Sequence, residues 1–122
     1  MNKLILFVED EPTLQKTLGR ALEHEGYEVQ SALDGQSGLA LIKRIKPNIV
    51  LLDLILPKMD GFGVLKAIKE DPEIKDIPVI VLTNLESPQD VEKALSLGAT
   101  TYLVKANYEL DEVIKKVKEV IK

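Results

Sequence analysis

Ile49-Val50-Leu51-Leu52-Asp53 is an unbroken apolar run closed by a carboxylate. Apolar residues without polar alternation read as a strand covered on both faces, the pattern of a central strand in a parallel sheet. The pattern recurs outward along the chain. Leu4 to Val8 gives way to Glu9, Asp10 and Glu11; Val79 to Leu82 is followed by Thr83; and Tyr102 to Val104 is followed by Lys105. Tyr27 to Ala32 alternates apolar and polar instead, as a strand with a wet face does.

Helix-period segments separate these runs. Leu14, Leu18, Ala21 and Leu22 form one stripe, Phe62, Leu65 and Ile68 another, and Leu110, Val113, Ile114, Val117 and Ile121 another. Pro12 and Ser87-Pro88 mark helix starts, with proline at the first helical position and the Ser87 hydroxyl as a cap. Gly26 and Gly98 fall where helices should stop. Asp34 to Lys46 has the poorest helical propensity, because Gly35 and Gly38 each cost about 1 kcal/mol relative to alanine.

Strands alternating with helices imply an α/β fold with right-handed crossovers. The expected architecture is a doubly wound, flavodoxin-like, five-stranded parallel sheet of order 2-1-3-4-5, flanked by five helices. The alternating second run and the short fifth run are its edges.

A length of 122 residues fits one domain, residues 1–122. The 45% hydrophobic and 30% charged composition is that of a globular chain. Absence of cysteine excludes disulfides, thiolate metal sites and a cysteine nucleophile. The net charge of −4 leaves no basic face for phosphates, so direct nucleic-acid binding is not expected. Lys115-Lys116-Val117-Lys118 reads as the solvated end of a helix. No apolar stretch approaches the roughly 20 residues that span a bilayer, and the N-terminal run is too short for a signal peptide. The expected location is the cytoplasm, with no membrane partner.

The polar residues that end the runs carry the functional reading. In an open parallel sheet, ligands bind outside the carboxyl ends of the strands at the topological switch point, here beside the first and third strands. Glu9, Asp10 and Asp53 converge there, flanked by Thr83 and Lys105. Clustered carboxylates with no His or Cys nearby call for a hard cation, and Mg²⁺ suits an oxygen-only donor set. One carboxylate can then act as a nucleophile toward phosphorus. The cation, Lys105 and Thr83 would hold the phosphoryl oxygens. Any one of these polar residues could simply mark a strand leaving the core. Their joint placement at one end of one sheet carries the argument.

Across nearly the whole chain these residues resemble the signature of the response-regulator receiver domains of bacterial two-component signalling. Phe7-Val8-Glu9-Asp10-Glu11-Pro12 resembles the family's metal-binding acidic pair. Leu51 to Gly61, with Asp53, Pro57 and Met59-Asp60-Gly61, resembles its phosphoacceptor motif. Thr83 resembles the switch hydroxyl, Tyr102 the aromatic switch residue and Lys105 the family's lysine. The resemblance implies that Asp53 is the phosphoacceptor for a histidine kinase or phosphotransfer protein. It implies that Asp10, Asp53 and the main-chain carbonyl of Ile55 ligate Mg²⁺, with Glu9 acting through a water. It also implies that Thr83 and Tyr102 remodel the face of the fourth helix, fifth strand and fifth helix toward a downstream protein or fused output domain. Such a domain is a switch, catalysing only its own phosphorylation and dephosphorylation.

The chain departs from the family at two places. Ala106 stands where a cis proline usually follows the lysine, leaving two expectations: a trans, repositioned loop or a strained cis bond. Asn84 replaces the small residue usual after the switch threonine. Ile55 and Leu85 are apolar where, by the resemblance, they flank the route of the hydrolytic water, so slow dephosphorylation is expected. His24 reads as a solvated helix residue, Met59 as packing, and Asp60-Gly61 as a loop former. The alternatives are a phosphate-independent binding module with this fold, a haloacid-dehalogenase-type phosphatase and a flavodoxin-like carrier. Against the phosphatase, Ile55 stands where that family has a second aspartate. Against the carrier, no Ser/Thr/Gly-rich loop follows the first strand.

Overall fold

The computed structural model describes residues 2–121. Strands β1 (Leu4–Val8), β2 (Glu28–Ala32), β3 (Ile49–Leu52), β4 (Val79–Thr83) and β5 (Thr101–Val104) form a sheet of order β2-β1-β3-β4-β5. Every neighbouring pair is parallel. Helices α1 (Pro12–His24), α2 (Gly35–Ile45), α3 (Gly61–Glu70), α4 (Pro88–Ser96) and α5 (Leu110–Ile121) connect and cover the strands. This is the flavodoxin-like order expected from the apolar runs, with the second and fifth strands at the edges.

Successive side chains of a strand point to opposite faces, so the central strands feed two cores. Leu6, Val8, Val50, Leu52, Val79 and Val81 pack with Ile42, Leu65, Ile68 and Ala94 of α2, α3 and α4. Ile5, Phe7, Ile49, Leu51, Ile80 and Leu82 pack with Leu18 and Leu22 of α1 and Val113 and Val117 of α5. Each fully buried aliphatic side chain contributes roughly 1.5–3 kcal/mol of transfer free energy.

The helix signals hold in the structure. Pro12 and Pro88 open α1 and α4, and the Ser87 hydroxyl accepts from the Asp90 amide at 3.2 Å. Gly26 and Gly98 have φ of +96° and +103°, the left-handed region that L side chains avoid. The low propensity of α2 has a packing cause. A Cβ on Gly38 would lie 2.8 Å from the Val8 side chain, and one on Gly35 would lie 1.7 Å from the Met59 carbonyl. The glycines let α2 approach β1 and the loop after β3, and Asp34 offsets their cost by capping the helix through the Ser37 amide at 2.7 Å.

Candidate functional site

Sheet register brings the site together. Val8 lies opposite Leu52, so Glu9 and Asp53 leave their strands at the same level. The Asp53 amide extends the ladder by donating to the Val8 carbonyl at 3.1 Å, and the Glu9 amide donates to the Ala32 carbonyl at 3.0 Å. Thr83 pairs with Val104, which delivers Lys105 to the same rim.

Carboxylate oxygens of Glu9, Asp10 and Asp53 all lie within 4.8 Å of one another. Glu9 is fully buried, Asp53 is 4% exposed, and Asp10 faces solvent. The pocket therefore opens on the Asp10 side. The Lys105 ammonium donates to Asp53 Oδ2 at 3.0 Å and sits 2.7 Å from Glu9 Oε1. The contact with Glu9 is an ion pair without hydrogen-bond alignment, and Oε1 has no other partner among the described residues. Glu9 Oε2 accepts from the Glu11 amide at 3.2 Å. The Ile55 amide donates to Asp53 Oδ1 at 3.2 Å.

Burial pushes the Glu9 carboxyl above its ordinary range; Lys105 opposes that and the neighbouring Asp53 adds to it. Burial alone would lower the Lys105 ammonium, but its contacts with Glu9 and Asp53 prevail and hold it above its ordinary value. One lysine thus faces two buried carboxylates, and the third acid makes the cluster net negative. Three convergent carboxylates with a single ammonium among them form an oxygen-only donor set that fits a hard divalent cation.

Among the described residues no peptide bond is cis. The Lys105–Ala106 bond is trans, and Lys105–Asn107 forms a single 3₁₀ turn. Of the two expected outcomes for Ala106, the trans loop is the one adopted, and Lys105 still reaches Asp53. Thr83 is fully buried, and its Oγ1 accepts from the Leu85 amide at 3.4 Å. The Tyr102 hydroxyl donates to the Leu85 carbonyl at 2.8 Å, and its half-buried ring packs on the core. Leu85 therefore connects Thr83 to Tyr102 through its two backbone groups. The Ile55 side chain is 53% exposed and Leu85 is half-buried. His24 is exposed at the end of α1, and Asp60 caps α3 through the Gly63 amide at 2.9 Å.

Three local contacts had no signal in the sequence. Gln15 bonds the Glu9 and Ala32 carbonyls from α1, but an amide on a helix's polar face looks like any solvated residue. Gly61 touches the backbone of Asp53 and Leu54, a contact that depends on the path of the loop. Lys58 has φ of +69°, with the Met59 amide donating back to the Pro57 carbonyl at 2.8 Å. This is a three-residue turn in a region costly for a β-carbon. The same carbonyl accepts from the Gly35 amide at 3.2 Å, which ties the loop to α2. Relief of about 1–3 kcal/mol of strain exceeds the 0.5–1 kcal/mol entropic cost of glycine. Lys58→Gly is therefore expected to stabilise the fold by about 1 kcal/mol in urea titration.

Residues 5–118 match the family model described as the response regulator receiver domain. The chain is 37% identical over 118 residues to the DNA-binding dual master transcriptional regulator RpaA of Synechocystis, covering 97% of this chain and 48% of that protein. It is 40% identical over 105 residues to the response regulator PleD of Caulobacter vibrioides, covering 86% of this chain and 23% of that protein. The chain thus spans less than half the length of these relatives. Among solved structures, chemotaxis protein CheY4 of Vibrio cholerae superposes with a TM-score of 0.90 at 28% identity, covering 98% of this chain and 99% of that one. The Mn²⁺-bound form of response regulator Rcp1 superposes with a TM-score of 0.85 at 32% identity, covering 96% of this chain and 92% of that one. Sheet order, the acidic pocket and sequence similarity across almost the full chain agree, and the chain belongs to the response regulator receiver domain family of two-component signalling.

Proposed function

We propose that Asp53 accepts a phosphoryl group from the phosphohistidine of a histidine kinase or phosphotransfer protein, in a reaction that needs Mg²⁺. The observation that carries this reading is the contact of Lys105 with both Asp53 and Glu9 at a pocket left open on the Asp10 side. Asp10, Asp53 and the Ile55 carbonyl would hold the cation, with Glu9 supporting them. When bound, Mg²⁺ neutralises the carboxylates and polarises the phosphoryl group.

An Asp53 carboxylate oxygen forms the new O–P bond as the P–N bond of the donor breaks, and the imidazole nitrogen leaves with the electron pair. Lys105 passes from Asp53 Oδ2 to a phosphoryl oxygen, and the Thr83 hydroxyl takes another. Thr83 Oγ1 accepts from the Leu85 amide, which leaves its O–H to donate to the phosphoryl oxygen. Leu85 also holds the Tyr102 hydroxyl, so a shift of Thr83 toward the phosphoryl group would be carried through Leu85 to Tyr102. Phosphorylation thereby shifts the population of conformations of the α4-β5-α5 face presented to a downstream protein or fused output domain. Water attack on the aspartyl phosphate releases inorganic phosphate and restores the carboxylate. Residues 1–122 act as one receiver domain in the cytoplasm. RpaA is a DNA-binding regulator as a whole; this domain, with a net charge of −4, passes its signal to a protein rather than to nucleic acid.

The test is intact mass after incubation with acetyl phosphate, with and without Mg²⁺, on wild type and Asp53→Asn. One phosphoryl adduct that requires Mg²⁺ and is absent from the variant is expected. No adduct on wild type under any condition, including rapid quench, overturns the reading in favour of phosphate-independent binding. Lifetime is a separate expectation. Ile55 and Leu85 present apolar surface to an attacking water, so the double variant Ile55→Asn, Leu85→Glu is expected to dephosphorylate about 10-fold faster, a barrier change of roughly 1.4 kcal/mol. Unchanged decay of the purified phosphoprotein would remove this role.

A further inference from the structure

The acidic turn that leaves β1 has to hold Glu9 and Asp10 beside Asp53 against their mutual repulsion. Helix α1 begins immediately after it at Pro12, and its N-cap position, Glu11, makes no side-chain capping bond. Gln15, in the first turn of α1, closes this gap. Its side-chain amide donates to the Glu9 carbonyl at 2.8 Å and to the Ala32 carbonyl at 3.1 Å. Both partners are carbonyl oxygens, so only the NH₂ end of the side chain can make these bonds. The Gln15 main-chain amide also donates to the Glu11 carbonyl at 3.1 Å. One residue thus grips both ends of the turn and ties it to the end of β2, where the Ala32 carbonyl already receives the Glu9 amide.

We infer that Gln15 is a positioning residue for the cation site, locking the main chain of Glu9 so that the carboxylates of Glu9 and Asp10 stay convergent on Asp53. This rests on the proposal that these carboxylates hold a divalent cation. Like the partners that orient a metal's ligands, Gln15 touches neither the ion nor the phosphoryl group, and loss of such partners typically weakens metal affinity 10–100-fold. Gln15→Met keeps the length and removes both donors. Gln15→Glu keeps the shape and sets a carboxylate against two carbonyls. Lys16→Met, an exposed neighbour, is the control.

Two readouts are needed. Amide hydrogen exchange, read residue by residue by NMR without cation, is expected to be faster at Glu9 in both Gln15 variants, with the amides of Ile5 to Phe7 unchanged. Titration with Mn²⁺ well below each variant's melting temperature is expected to show about 10-fold weaker binding for both Gln15 variants and wild-type affinity for Lys16→Met. Wild type that binds Mn²⁺, with Gln15 variants equal to it in affinity and in Glu9 exchange, overturns the role of Gln15 and leaves the cation site standing. Wild type that binds no Mn²⁺ overturns both. A fall in melting temperature with unchanged affinity assigns Gln15 to folding alone and also overturns the inference.

Discussion

Lys105→Met is expected to lower stability at pH 7 by about 3 kcal/mol in the absence of divalent cations, roughly 10 °C in melting temperature for a domain of this size. It is also expected to slow phosphorylation by acetyl phosphate by about two orders of magnitude. The stability loss follows from what the ammonium leaves behind. Glu9 and Asp53 are almost fully buried, and among the described residues Lys105 is the cation within ion-pair distance of both. Breaking a buried pair by removing one partner strands the other charge, and here it strands two. The low end of the usual range applies because the Lys105 side chain keeps 16% exposure.

The pH dependence has a definite sign. Glu9 titrates above its ordinary value of 4.5 in the folded protein, because of burial first and Asp53 next. A raised folded pKa gives stability that is fully present below the unfolded value and is lost as pH rises through the folded value. Removing Lys105 deletes the contribution that lowers the Glu9 pKa, so the loss becomes larger. The deficit of the variant is therefore expected to shrink as pH falls from 7 toward 4.5, and to shrink at pH 7 when Mg²⁺ is added. Urea titrations at the two pH values, with and without Mg²⁺, measure it. A deficit independent of both pH and Mg²⁺ would mean that the loss comes from packing of the lysine stem.

Gly61→Ala is expected to cost about 2–3 kcal/mol and to impair phosphorylation as well. A Cβ at this position would lie 2.3 Å from the Asp53 carbonyl and 2.5 Å from Leu54 Cα. Both are backbone atoms of the segment that presents the phosphoacceptor, so no rotamer change relieves the clash. The Gly61 amide also donates to the Leu54 carbonyl at 2.9 Å, and α3 starts here under the Asp60 cap. Moving the α3 start away would break this bond, and moving the Asp53 segment would disturb the carboxylate. Thermal denaturation gives the first effect, and the rate of adduct formation from acetyl phosphate gives the second. Gly19→Ala is the comparison, because a Cβ there meets only the Val29 side chain at 3.8 Å. Equal stabilities for the two variants would show that the α3 start yields freely.

These glycines mark the boundary of what the chain reveals by itself. Runs such as Ile49-Val50-Leu51-Leu52 determined the strands and their central or edge placement, because a strand's burial is written in whether its residues alternate. Their polar ends determined which residues reach the rim, because in a parallel sheet every strand delivers its last residue to the same side. That covered Glu9, Asp10, Asp53, Thr83 and Lys105. The tertiary structure decided the rest. Gly35 and Gly38 looked like helix breakers until α2 was seen against Met59 and Val8. Ala106 left the path of Lys105 open until the trans loop placed its ammonium between Glu9 and Asp53. Gln15 and the Leu85 backbone join segments through hydrogen bonds whose partners are main-chain carbonyls and amides. Every residue carries those groups, so residue identity cannot announce such partners. Only the three-dimensional path of the chain selects them.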